Sequence, residues 1–216
     1  MRNAYHEQLD TIQLRLVDMT QAVSIAMALA SRSLLERELH LAEQVIANDA
    51  AIDEMNRDIE DQSLELMALQ NPVASDLRAV MNAARMSSTL ERMGDLAAHV
   101  AKVARMRYPD TAIPEFVRPI LSGMADAAIR SVTHAGQVIV NKDPQGAEEL
   151  VLLDDELDTL NRQLYATLLS PDWTLGVDRA LDLALLARFY ERFGDHAVSL
   201  ARRVHQEVTG HRMDKF

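Results

Sequence analysis

The sequence predicts an all-α fold of two tandem three-helix bundles, six long antiparallel helices related by internal pseudo-symmetry. The apolar content is mostly Ala, Leu, Val and Met, while aromatic residues make up 4% and only 7 Gly and 6 Pro interrupt the 216 residues. That composition favours helices over strands. Apolar residues also recur at helical spacing, and the chain repeats itself. Long amphipathic helices joined by short turns pack as antiparallel neighbours in bundles.

The two halves of the chain align with each other. Residues 15–69 superpose without a gap on the second half at a constant shift of 105 positions, which places NDAAIDEMNRDI (48–59) over LDDELDTLNRQL (153–164). Further along the shift becomes 100, and ERMGD (91–95) lies over ERFGD (191–195). A difference in loop length accounts for the five positions, and the pattern indicates a duplication.

Each half is predicted to contain three helices. The first helix covers about 5–35, where apolar residues follow helical spacing. A break is expected near 36–39, because the turn signal NKDPQG (141–146) maps onto it from the second half. The second helix ends near residue 70. The third is predicted over 71–107, since it opens with Asn-Pro, an N-cap residue followed by proline in the first turn.

The second half repeats this plan after a linker, YPDTAIP (108–114), with SPDWT (170–174) between its last two helices. The predicted organisation is a first repeat at 1–107, a second repeat at 114–209 and a frayed tail at 210–216.

Charge and composition exclude several classes of protein. The net charge of −11 repels nucleic-acid backbones, and the basic residues are scattered along the sequence without forming a basic stripe, so nucleic-acid binding is not expected. The absence of cysteine excludes disulfides and thiolate metal sites. The N-terminal MRNAYHEQLD lacks the apolar core of a signal peptide, and no run of about 18 apolar residues occurs. A soluble, cytoplasmic protein is therefore predicted.

Four pairs of acidic residues are the candidates for chemistry. The spacing of four within each pair places both carboxylates on one helix face, about 6 Å apart. One such pair is common on solvated helices, whereas here the pairs occur on two helices of each half. The eight candidate metal ligands are Asp49, Asp53, Glu91, Asp95, Asp154, Asp158, Glu191 and Asp195.

The pairs on neighbouring helices should lie at the same level. A hairpin turning near residue 72 brings together residues whose numbers add up to about 144, as do Asp49 with Asp95 and Asp53 with Glu91. In the second half the hairpin is centred in SPDWT, and the numbers of paired residues add up to 349. This sum pairs Asp154 with Asp195 and Asp158 with Glu191.

A cation is the predicted means of neutralising these carboxylates. Small residues flank Glu91 on its helix, and a mid-helix glycine follows in each half (Gly94, Gly194), which provides either close packing or room beside a metal cluster. Carboxylates at such a seam resist desolvation unless they are neutralised. Arg92 and Arg192 offer ion pairs as the alternative, although they lie about 100° around the helix. An all-oxygen set suits Mg²⁺, Ca²⁺, Mn²⁺ or iron.

The sequence nominates no catalytic group. It contains no Gly-rich phosphate loop, nucleophile elbow or cysteine. A diiron carboxylate enzyme would need Glu-x-x-His motifs, and no Glu is followed three residues later by His. His196 directly follows Asp195 and is interpreted as a flanking or packing residue. A metal-binding regulator is therefore preferred to a purely structural helical scaffold and to a diiron enzyme.

The duplicated E-R-x-G-D motif, the D-x-x-x-D motif ahead of it in each half and PVASDLR (72–78) resemble the PhoU family of bacterial phosphate-uptake regulators. The resemblance extends from about residue 5 to 209. It implies a pair of three-helix bundles and multinuclear clusters of divalent or ferric metal, among them iron, Mn or Mg. The ligands so implied are Glu91, Asp95, Glu191 and Asp195, with Asp49, Asp53, Asp154 and Asp158 as companions.

The resemblance also implies a role and partners. Family members are negative regulators of the phosphate-starvation response, which relay the state of the phosphate-specific ABC transporter to a membrane histidine kinase. Such a protein would lie at the membrane through its partners only, and a homodimer is compatible with it. The first half departs from the family pattern at Leu96, where the second has His196, and at Thr89, where the family often has an acid.

Overall fold

The computed structural model describes residues 2–70, 72, 75–111 and 113–211. The prediction of an all-α fold is confirmed. None of the described helices combines the length and the apolar character needed to cross a bilayer. In chain order the helices are α1 (Arg2–Glu36), α2 (Leu39–Gln70), α3 (Ser75–Arg107), α4 (Arg118–Asn141), α5 (Gly146–Leu168) and α6 (Val177–Thr209).

The first helix of each half ends in the same way. Arg37 and Lys142 are equivalent under the shift of 105, and both adopt a left-handed backbone conformation, with φ of 60° and 49°. This conformation turns the chain back on the helix end and satisfies its last carbonyl groups. In both copies the next N–H donates to the carbonyl five residues earlier at 3.2 Å, Glu38 to Ser33 and Asp143 to Val138. The predicted breaks at 36–39 and 141–146 are confirmed.

The predicted start of the third helix is wrong. Pro72 is not helical, and the first described helical residue is Ser75; Asn71, the predicted N-cap, lies outside the described residues. Asp76 then stands in the first turn, where a negative charge complements the helix dipole. The linker is also longer than predicted, because α4 begins only at Arg118.

The C-terminal end agrees with the prediction as far as it is described. α6 ends at Thr209, and Gly210 follows with φ of 75°, donating its N–H to the carbonyl of Gln206 at 3.0 Å. Residues 212–216 of the predicted frayed tail lie outside the described part of the chain.

Six helices pack in two connected sets. Helices α1, α2 and α3 contact one another, as do α4, α5 and α6, and the sets join through α1 against α4 and α3 against α6. The four joining helices thus form the centre, with α2 and α5 on opposite flanks. Equivalent positions of the two halves fill the core: Leu16 and Leu121, Met19 and Met124, Leu90 and Tyr190, and Met93 and Phe193.

A buried hydrogen bond between the halves provides a test of this packing. The hydroxyl groups of Ser31 on α1 and Tyr190 on α6 are 2.9 Å apart, and both residues are buried. We expect Tyr190→Phe to lower the free energy of unfolding by about 1 kcal/mol, because it leaves the Ser31 hydroxyl without this partner. In a Ser31→Ala background the same change should cost much less. Chemical denaturation of the four proteins measures this coupling, and equal costs in both backgrounds would contradict it.

Candidate metal centre

Two glycines allow the carboxylate-bearing helices of each half to approach closely. A Cβ atom at Gly94 would lie 3.0 Å from Cγ2 of Ile52, so α2 packs directly against the backbone of α3. At Gly194 it would lie 2.5 Å from Cδ1 of Leu157 and 3.1 Å from Oδ1 of Asp154. Both glycines therefore serve close packing. In the second half, the glycine also leaves space for a carboxylate against α6.

The first cluster lies between α2 and α3, and its four carboxylate residues are partly buried. Burial raises the pKa of Asp49, and the charges of Asp95 and Asp53 raise it further. Burial likewise raises the pKa of Glu91, with additional repulsion from Asp95, Asp53 and Asp49. The four carboxylates thus form one group of like charges that repel one another.

The second cluster lies between α5 and α6 and is more open, because Asp154 and Glu191 are partly buried whereas Asp158 and Asp195 are exposed. Burial, followed by the charges of Asp195 and Asp158, raises the pKa of Asp154 to about 6. Burial also raises the pKa of Asp158, with repulsion from Glu191 and Asp195. The structure therefore brings together all eight sequence-predicted residues in two groups of four. The predicted cross-helix pairs interact in both halves: Asp49 with Asp95, Asp53 with Glu91, Asp154 with Asp195 and Asp158 with Glu191.

Neighbouring basic side chains neutralise the clusters only in part. Arg188 pairs with Glu191 at 2.9 Å, and the equivalent position in the first half is Ser88. Sequence reasoning missed Arg188, although its spacing of three residues from Glu191 is a signal for an ion pair. Among the described residues, the other seven carboxylates of the two clusters form no ion pair with Arg, Lys or His.

Two further basic residues next to the clusters were also missed. Lys102 opposes the raised pKa of Asp49, and Arg202 does the same for Asp154. They are equivalent under the shift of 100, which is the sequence signal that could have found them. Arg92 lowers the pKa of Glu91 without forming an ion pair, and so the neutralisation that the sequence suggested for it is weak.

The donor set fits a hard cation chemically. The clusters offer carboxylate oxygens, partly withdrawn from water and mutually repelling, which are the ligands that Mg²⁺, Mn²⁺ and iron accept. Within the described part of the chain, however, no three or more Asp, Glu or His side chains stand close enough together to hold one ion. Binding would therefore require these side chains to change rotamer.

Comparison with known proteins places the chain in a family. The model of the PhoU domain matches twice, over residues 16–104 and 121–204. These two stretches contain the two carboxylate clusters. The chain belongs to the PhoU family. The resemblance carried by the E-R-x-G-D motifs is thereby confirmed.

Similar proteins match over nearly the whole chain. The phosphate-specific transport system accessory protein PhoU homolog 2 of Mycobacterium tuberculosis is 44% identical over 210 residues, covering 97% of this chain and 99% of the relative. PhoU homolog 1 of Mycobacterium leprae is 43% identical over 210 residues, covering 97% and 95%.

Two solved PhoU structures share the fold. The protein from Pseudomonas aeruginosa has a TM-score of 0.84 at 24% identity, over 96% of this chain and all of that one. The protein from Streptococcus pneumoniae has a TM-score of 0.87 at 22% identity, over 98% of this chain and all of that one.

The raised pKa of Asp154 predicts an unusual pH dependence in the metal-free protein. Because the folded-state value of about 6 lies above the ordinary 3.8, the folded protein binds this proton more tightly than the unfolded chain does. The ionised carboxylate therefore destabilises the fold above pH 6, and acidification towards pH 4 removes that penalty. We expect Asp154→Asn to stabilise the protein by about 1–3 kcal/mol at pH 7, with the gain vanishing near pH 4.

Urea denaturation of the chelator-treated protein at several pH values measures this difference. Asp126→Asn, which removes an exposed carboxylate from α4, controls for the general effect of lowering the negative charge. A pH-independent difference between Asp154→Asn and the wild-type protein would contradict the assignment.

Proposed function

We propose that this protein is a non-enzymatic accessory protein of phosphate transport that binds metal cations at its two carboxylate clusters. The transport role is supported by the relatives at 43–44% identity, which are named as accessory proteins of the phosphate-specific transport system. The metal-binding role is supported by one observation above the others. In both halves, four carboxylates share a close helix seam, and seven of the eight form no ion pair among the described residues.

The charge of each cluster is the physical reason for a cation. Partial desolvation, followed by mutual repulsion, raises the pKa values of Asp49, Glu91, Asp154 and Asp158. A bound cation would offset both costs, and its affinity would grow with the number of ionised carboxylates around it. Iron, Mn²⁺ and Mg²⁺ are the candidate ions. When bound, such an ion would tie α2 to α3 and α5 to α6.

The proposed role is negative regulation of the phosphate-starvation response. The protein would relay the state of the phosphate-specific ABC transporter to a membrane histidine kinase from the cytoplasm, and would lie at the membrane through these partners alone. The clusters contain carboxylates and no nucleophile paired with a base, which supports binding in preference to catalysis.

Two alternatives are less well supported. A helical scaffold without functional metal gives no reason for a cluster of unpaired carboxylates in each half. Such a cluster destabilises the fold, because its charges repel one another. A diiron oxygen-activating enzyme would use histidine ligands from Glu-x-x-His motifs. In the second half, the helix of Glu191 and Asp195 carries His196 and His205, and neither lies three residues after a Glu. The charges that reach the His196 imidazole include those of Arg192 and Arg92.

Metal analysis tests the binding proposal directly. We expect the wild-type protein to take up Mn²⁺ or ferrous iron after chelator treatment, and Asp49→Asn with Asp95→Asn to remove about half of the bound metal, because these changes halve the charge of one cluster. Adding Asp154→Asn and Asp195→Asn should abolish uptake. Elemental analysis and calorimetric titration measure the stoichiometry.

The control, Asp61→Asn with Asp126→Asn, removes two exposed carboxylates outside the clusters. If the variant with all four substitutions binds as much metal as the wild-type protein, the metal assignment is wrong.

Gene deletion tests the regulatory proposal. Loss of the protein is expected to raise the expression of phosphate-starvation genes in phosphate-rich medium, because the kinase would no longer be restrained. A plasmid copy of the wild-type protein should restore repression, whereas the fourfold carboxylate variant should not. A reporter under a phosphate-starvation promoter provides the measurement. Unchanged expression after deletion counts against regulation, and full complementation by the fourfold variant supports the scaffold alternative.

A further inference from the structure

A set of basic side chains gathers at the seam between α3 and α6. These residues are far apart in the sequence and come together only in the folded chain. Five basic side chains lie along the contact between α3 and α6, one of the two helix pairs that join the halves, and both halves contribute. We name this group the cationic seam: Arg85, Arg92, Arg192, His196 and Arg203.

Contacts between the two helices fix their register. The ring of His99 on α3 stacks on Phe189 of α6 with centroids 5.2 Å apart, and the Arg107 guanidinium pairs with Asp182. The helices are therefore antiparallel, and residues whose numbers add up to about 288 lie at one level. Two pairs in the cationic seam meet this condition, Arg92 with His196 and Arg85 with Arg203. Arg192 stands one helical turn from His196, or about 6 Å along α6.

The electrostatics agree with this register. Burial lowers the pKa of His196, and the charges of Arg192 and Arg92 lower it further, against an opposing attraction from Asp195. Burial and the charge of Arg85 lower the pKa of Arg203. Cations from both halves thus repel one another across the seam.

The seam has polar atoms without partners. Nε2 of His196 and Nε of Arg203 are shielded from solvent and have no hydrogen-bond partner. Within the described residues, Arg85, Arg92 and Arg192 form no ion pair within 4 Å. An arginine does not relieve repulsion by losing its proton. Arg85, Arg92 and Arg192 are exposed to water, so an anion with several acceptor oxygens would exchange that water for charge-assisted hydrogen bonds.

The surroundings restrict the size of that anion. Glu91 and Asp95 lie beside the seam on α3, and Glu191 and Asp195 lie beside it on α6. A nucleic acid or an anionic bilayer would have to cover these carboxylates as well, and would be repelled. A small oxyanion would cover fewer of these carboxylates than either of them. Guanidinium groups suit a tetrahedral oxyanion because their planar donors bind two of its oxygens at once.

We propose that the cationic seam binds a small, doubly charged tetrahedral oxyanion of the phosphate or sulfate type between Arg92, Arg192 and His196. Both halves of the duplication contribute to this site, so neither half would form it alone. The inference goes beyond the proposed metal sites, since it concerns different side chains and requires no cation.

Calorimetric titration of the chelator-treated protein with inorganic phosphate at low ionic strength tests the inference, because chelation prevents phosphate from binding through a metal. Arg92→Gln with Arg192→Gln is expected to weaken phosphate binding at least about tenfold, since each change removes charge-assisted hydrogen bonds. Sulfate should compete with phosphate. The control is Arg105→Gln with Arg130→Gln, which lowers the net charge equally at two exposed residues outside the seam and should retain wild-type affinity.

A second measurement locates the ligand. Phosphate should shift the imidazole NMR signals of His196 in the wild-type protein and leave them unchanged in the Arg92→Gln, Arg192→Gln variant, while circular dichroism shows that the variant keeps its helices. No heat of binding in the wild-type protein would overturn the proposal. An equal loss in the control variant would also overturn it, as would binding to phosphatidylglycerol vesicles without binding to inorganic phosphate.

Discussion

Repulsion among carboxylates gathered at a close helix contact is the constraint on which this structure depends. Gly94 and Gly194 allow α2 and α5 to reach the backbone of the neighbouring helix, and in the second half the Asp154 carboxylate comes to lie there. Placing four carboxylates at such a contact works against stability, because they repel one another and most of them are partly buried. A cation bound at each cluster, as proposed above, would offset this repulsion.

The E-R-x-G-D motif can be understood from the positions of its residues around one helix. Glu91 and Asp95 lie on the side that faces α2, and Gly94 provides the close contact with that helix. Arg92, about 100° further round, comes within reach of His196 on α6. One short motif therefore supplies an acidic group on one side of α3 and a cation on the other. Its duplication gives two acidic seams with a cationic seam between them.

Much of this arrangement could be predicted from residue numbers alone. The duplication appears as a constant shift between the halves, and the constant rise per residue of a helix shows which residues of paired helices lie at one level. The shift of 105 placed the break at 36–39 correctly, and equal rise along paired helices matched Asp49 with Asp95. The start of α3 could not be predicted from Asn71-Pro72, since helix ends depend on packing as well as on local signals. The basic group was missed because Arg92 and His196 meet only across the contact between α3 and α6, which local spacing does not reveal.

Each half has a carboxylate cluster, but the charges around the two clusters differ. In the second half Arg188 holds Glu191 in an ion pair, so a cation would have to displace a guanidinium to use that carboxylate. In the first half Ser88 stands at the equivalent position, and Glu91 has no ion pair among the described residues. His196 corresponds to Leu96 under the shift of 100, so this polar group is also present in one copy only. The repeats have therefore diverged in the side chains that surround the carboxylates, while the four carboxylates of each cluster have been kept.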